Sequence, residues 1–339
     1  MKLELDNLVK IIRETVRTHE LETPGEYARW IWNDEEGSRN LGSSEYGCAD
    51  AANILYIIGD FERDPEQRAA AVKALQVLQD PETGLFREPT HHNLHTTAHC
   101  VAALELFDAA PAHPLKALEK YMTKEGLYDL LENLDWKGQP WPQSHQGAGV
   151  FAAATVAGMA DAQWQDWYFD WLWNEADPET GMWRKGCMGE GSAPLYHHMG
   201  GTFHYIFNHE AARRPLRYPE KLIDTMIELY KTGKIDHLEP EYGFGHRVGF
   251  LEIDWVFTLT RASRQTPHRF YEVKEILRDF AEKYVAWLYS LDHAHHDGFN
   301  DLHMLFGAVC CLAELQTALP GELRTTKPLK IVLDRRPFI

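Results

Sequence analysis

A chain of 339 residues that is 44% hydrophobic and 25% charged has material for one large buried core or two smaller ones. Its formal net charge of −17 leaves no basic stripe to neutralise phosphates, which argues against a nucleic-acid surface. No apolar run approaches the roughly 20 residues of a membrane helix. The charged first residues lack the core of a signal peptide. The five scattered cysteines lack zinc-ribbon spacing and fit a reduced, cytoplasmic protein.

In chain order, Leu3–His19 places Leu8, Ile12 and Val16 on one stripe and predicts an amphipathic helix. A polar loop around Gly37 ends at Tyr46-Gly47, and Cys48–Ile58 follows, small and apolar nearly all round, as a helix covered on most sides is. Asp64–Leu78 is amphipathic again and His95–Phe107 is mostly apolar. The alternation continues with Pro114–Tyr121 and Ser144–Gly158, Gln163–Asn174 and His197–His209, Pro219–Tyr230 and Phe250–Ala262, and His268–Leu288 and Asp301–Leu315. The tail from Pro320 carries few helix signals, and no run shows the sustained alternation of a strand.

The unit repeats. Asp80-Pro81-Glu82-Thr83-Gly84-Leu85-Phe86 leads to a helix opening at His95, and Asp177-Pro178-Glu179-Thr180-Gly181-Met182-Trp183 leads to one opening at His197-His198. Turn glycines Gly37, Gly84, Gly138, Gly181, Gly243 and Gly298 recur 43 to 62 residues apart, where a helix end calls for positive φ. Six apolar helices alternating with six amphipathic ones predict an all-α protein. The expected form is an (α/α)6 barrel or toroid, inner helices sheathed by outer ones, as a single domain over 1–339 with 319–339 as a tail.

On these features the chain resembles the α/α-toroid superfamily over about residues 1–318. That group includes six-hairpin glycosidases, unsaturated-uronide hydrolases, sugar epimerases, terpenoid cyclases and protein prenyltransferase β-subunits. The Asp-Pro-x-Thr-Gly-aromatic turn is similar to the glycosidase branch. The block from His95 to Leu104 is similar to the prenyltransferase helix that opens His-Thr and continues with Cys and small residues. The resemblance implies a pocket where the inner helices begin.

That end collects ionisable residues: Cys48 and Asp50 after Tyr46, His95 and His99, Ser144 and His145, His197 and His198, Glu252 and Asp254, and Asp301 and His303. Asp50, Ser144 and Asp301 also suit plain N-caps. Glu252 and Asp254 differ, because their neighbours Ile253, Trp255 and Val256 belong to a buried helix and a buried carboxylate needs a partner or a purpose. His95 and His99 share a helix face without a carboxylate between them, a weak metal signal. His293, His295 and His296 read as a solvated turn. Trp136, Trp141 and Trp183 precede inner helices and suit either the top of the core or a stacking wall for sugar rings.

The reading that follows is a carbohydrate-active enzyme, a glycoside hydrolase on an oligosaccharide or uronide, with no cofactor. Asp50, Asp254, Glu252, His145 and His198 are its acid–base candidates. Tyr46, His95, His99, Trp136, Trp141, Trp183, His197, Arg247, Asp301 and His303 are candidates for holding the substrate. A sugar lyase or epimerase with histidine bases is an alternative on the same scaffold. Another is an isoprenoid enzyme, for which the prenyltransferase resemblance implies zinc on Cys48, Asp50 and His95, although Cys precedes Asp here.

Overall fold

The computed structural model describes residues 2–233 and 243–338. It is all-helical apart from two-residue strands β1 (Leu3–Glu4) and β2 (Leu323–Arg324), which pair in parallel. The mostly buried helices are α2 (Glu45–Ile57), α4 (Asn93–Leu106), α6 (Pro140–Val156), α8 (Leu195–Ala212), α10 (Phe250–Ser263) and α13 (Leu302–Ala318). Between them come α1 (Asp6–Thr18), α3 (Pro65–Gln76), α5 (Lys124–Asn133), α7 (Ala162–Glu175), α9 (Pro219–Thr232), α11 (Phe270–Ser290) and the single turn α12 (Asp297–Asn300).

The alternation has a packing cause. In α1 only Leu8, Val9, Ile12 and Val16 are buried, a single stripe facing one neighbour. In α4 every residue from Leu94 to Leu104 is buried, and in α8 every residue from His198 to His209. Such helices need cover on all sides. The buried helices touch in the order α2, α4, α6, α8, α10, α13, and α13 touches α2, so the succession of neighbours returns to its first member. Outside them, α1 and α3 pack on α2, α9 on α10, and α11 on both α10 and α13.

The repeated turn is the same object twice. Asp80 Oδ1 accepts from the Glu82 and Thr83 amides, and Asp177 Oδ1 from those of Glu179 and Thr180, all at 2.9 Å. The amides of Phe86 and Trp183 then donate to Thr97 and Thr202 on the next buried helix. Gly84 and Gly181 both sit at φ +78°, where a Cβ would strike the Pro114 carbonyl or the Leu222 amide. Gly84→Ala is therefore expected to cost at least about 1–2 kcal/mol, the penalty of left-handed backbone for an L-residue; chemical denaturation measures it. Gly138 and Gly298 are a correction, since neither lies in the left-handed region. The Gly138 amide instead donates to Asp135 Oδ1, and the Gly298 amide to His296 Nδ1.

A further difference concerns local chemistry. Pro114–Tyr121 forms only a 3-10 turn over Lys116–Tyr121, and the outer helix there is α5, capped by Thr123, with Leu127 and Leu131 buried one turn apart. The tail packs onto the helices. Lys330 donates its amide to the Ile57 carbonyl, Asp334 pairs with Arg261, and Asn208 donates to the Pro337 carbonyl. Phe338 is fully buried against His95, His204 and Phe207.

Candidate functional site

A cavity of about 450 Å³ lies at the N-terminal turns of the buried helices. His91 and His95 line it from α4 and its preceding loop, Trp141, Pro142 and His145 from α6, and His197 and His204 from α8. Arg247 to Leu251 and Asp254 come from the start of α10, and His303 and Met304 from α13. A larger depression of about 550 Å³ lies at the opposite helix ends, walled by the Ala109–Leu115 loop, and brings no comparable set of polar groups together.

Asp254 is fully buried, and neither carboxyl oxygen has a hydrogen-bond partner among the described residues. Burial, reinforced by the nearby Glu252 carboxylate, raises its pKa well above the ordinary value and so favours its protonated form. Glu252, two residues away, points elsewhere, because i and i+2 fall on nearly opposite sides of a helix. Its Oε1 accepts from the amides of Gly245 and His246, so it ties down the loop before α10 and does not line the cavity. Burial nevertheless lifts it to about 7.

Asp50 lies beneath the cavity wall, fully buried on α2. It accepts from His99 Nε2 at 2.7 Å and from His303 Nδ1 at 3.1 Å. Burial alone would raise its pKa, but the two imidazoles outweigh that and hold it below the usual carboxylate range. With Nδ1–H donated to Asp50, His303 presents an unprotonated Nε2, and burial pushes its pKa down to about 4.

Three further imidazoles face one another. One ring nitrogen each from His95, His145 and His204 lies within 4.8 Å of the other two. His95 Nδ1 meets the Tyr46 hydroxyl at 2.6 Å, and His204 Nδ1 meets Ser144 Oγ at 2.9 Å. Burial keeps all three neutral, His204 down at about 3.

Several expected site residues lie elsewhere. His198 is buried and faces the 177–183 turn rather than the cavity. Trp136 and Trp183 are core: each donates its indole N–H to the end of an outer helix, at Leu131 and Leu172, and both pack on Tyr205. Of the three tryptophans only Trp141 lines the cavity. Asp301 caps α13 through the His303 amide and grips Arg29 with both oxygens. Asp50 and Ser144 are not caps, since α2 is capped by Ser44 and α6 starts at Pro140. Cys48 points at the Tyr27 carbonyl, and the groups able to converge on one ion place Asp50 with His99 and His303 and His95 with His145 and His204. The Cys48–Asp50–His95 zinc set is therefore not assembled.

His204 and His91 went unforeseen. His204 follows His197 by seven residues, two helical turns, hence on the same face. His91 precedes His95 by four and stacks on it at 4.8 Å.

Together these features define an all-helical protein with a histidine-rich, carboxyl-bearing cavity at the starts of its buried helices. Set against family models, curated proteins and solved structures, the chain matches none of them. Among the described residues no helix is long and apolar enough to cross a membrane.

Proposed function

We propose that the chain closes into an α/α ring and acts as an enzyme moving protons at a carbon of a small hydroxylated molecule of the carbohydrate class, as a lyase or epimerase does. The ring is supported by the returning order of helix contacts and by six mostly buried helices alternating with outer ones. The substrate class is supported by a cavity of about 450 Å³, the size of a small-ligand site, whose imidazoles, guanidinium and carboxyl suit hydroxyl groups and whose Trp141 offers a ring face.

One observation carries the reaction: the same cavity is lined by a carboxyl whose burial favours its protonated form, Asp254, and by a neutral imidazole aligned by an ionised carboxylate, His303 on Asp50. Two titratable groups pushed in opposite directions are an acid and a base ready at one pH. In this reading His303 Nε2 takes the proton from carbon and Asp254 supplies one to the departing or opposite side. Hydrolysis of a glycoside by paired carboxyls has less support, because among the described residues Asp254 is the only Asp or Glu on the cavity wall.

The test is incubation with hexoses, N-acetylhexosamines and uronides in D₂O, followed by NMR, beside a panel of chromogenic glycosides. Deuterium entering a sugar C–H without chromophore release is the expected result. Chromophore release with no deuterium uptake would return the protein to the hydrolases.

A further inference from the structure

We propose that His95, His145 and His204 form a binding site for one divalent first-row metal ion, zinc by preference, with its fourth position open to the cavity. The proposal stands apart from the proton-transfer reading, which uses His303 and Asp254.

Geometry comes first. The three imidazoles come from three successive buried helices, α4, α6 and α8, and one nitrogen of each lies within 4.8 Å of the other two. All three line the cavity, so a fourth ligand from solvent or substrate has access. Three protein ligands and one open position is the arrangement of reactive rather than structural zinc sites, and imidazole is a favoured donor for such ions.

The hydrogen bonds around the cluster set its tautomers. Ser144 Oγ donates to the Trp141 carbonyl at 2.6 Å, so its proton is committed and it accepts from His204 Nδ1. That leaves His204 Nε2 as a bare lone pair. Tyr46 Oη lies 3.4 Å from Thr96 Oγ1 and 2.6 Å from His95 Nδ1. When that hydroxyl accepts from His95 Nδ1, His95 Nε2 is bared in the same way. Imidazole nitrogens without protons, held this close together, repel one another and are stabilised by a cation. A partner on the far nitrogen is what orients a metal-binding histidine. Phe338 completes the support, with its ring stacked at 5.8 Å from His204 and edge-on at 4.9 Å to His95.

The neighbouring Asp50, His99 and His303 group is not a second such site. Its facing nitrogens already donate to the Asp50 carboxylate.

The experiment is metal analysis of the chelator-stripped full chain after reloading with Zn²⁺ or Co²⁺ and dialysis, with the Co²⁺ visible spectrum as a second readout. Wild type is expected to hold one ion per chain and to show the intense bands of four-coordinate Co²⁺. His145→Ala and His204→Asn are expected to lose both signals. Ser144→Ala, which removes only a positioning residue, is expected to weaken the metal about 10–100-fold. His295→Ala, on the exposed 292–297 turn, is expected to match wild type. Circular dichroism checks each fold; should one ligand variant unfold, the other and Ser144→Ala decide. Wild type that keeps no ion, or variants at His145 and His204 that keep as much as wild type, would overturn the proposal.

Discussion

Asp254→Asn is expected to lower turnover about 10²–10⁴-fold while the protein stays folded. The amide is nearly isosteric but has no proton to give. It also changes the pH dependence of stability. The folded-state pKa of Asp254 is raised by burial, so the folded chain holds a proton that the unfolded chain releases near pH 4. A raised pKa means stability that is full below the unfolded value and is lost as pH climbs toward the folded one. Glu252, lifted to about 7, adds a loss of the same sign between roughly pH 4.5 and 7. The buried histidines act oppositely: their depressed pKa values remove stability as pH falls below about 6.5. The difference between wild type and variant isolates Asp254. Denaturant unfolding at pH 5 and pH 8 should show wild type losing ground to Asp254→Asn at the higher pH. Unchanged turnover together with a parallel pH profile would remove Asp254 from the reaction.

Arg29→Met is expected to cost about 3–5 kcal/mol of stability, the usual effect of removing one partner from a buried ion pair. Arg29 is 3% exposed and grips both oxygens of Asp301, at 2.8 and 2.9 Å. Its third nitrogen donates to Thr90 at 2.7 Å and reaches Glu88 at 3.4 Å. The guanidinium thus ties the loop before α2 to the loop before α4 and to the start of α13. Its backbone carbonyl accepts from the Leu302 amide in addition. Methionine fills the space but leaves two buried carboxylates uncompensated. Arg29→Lys should recover little, because an ammonium cannot make the two parallel bonds. Changing Asp301 to Leu in the Arg29→Met background should return part of the loss, since the stranded charge is then gone. A cost below about 1 kcal/mol for Arg29→Met would mean that these charges are solvated and the cluster holds nothing together.

The sequence by itself determined the helices and their two kinds. Period and composition separate a helix buried on one stripe from one buried all round, because burial acts directly on residue type. Both copies of the Asp-Pro-Glu-Thr-Gly turn were legible for the same local reason: side-chain oxygen, amides and positive φ all lie within five residues. Positions near the starts of the buried helices were legible too, and His95, His145, Asp254 and His303 all line the cavity. What only the tertiary structure decided is the rotation of each buried helix about its own axis. A helix apolar on every side carries no amphipathic direction, so nothing local separates Asp254 from Glu252, His197 from His198, or Asp50 from Cys48. Each of those pairs divides between the cavity side and the outer side once neighbouring helices pack. The same holds for His204, brought to His95 and Ser144 across helix boundaries, and for Phe338, whose burial beneath them depends on where the chain's end meets helices more than a hundred residues earlier.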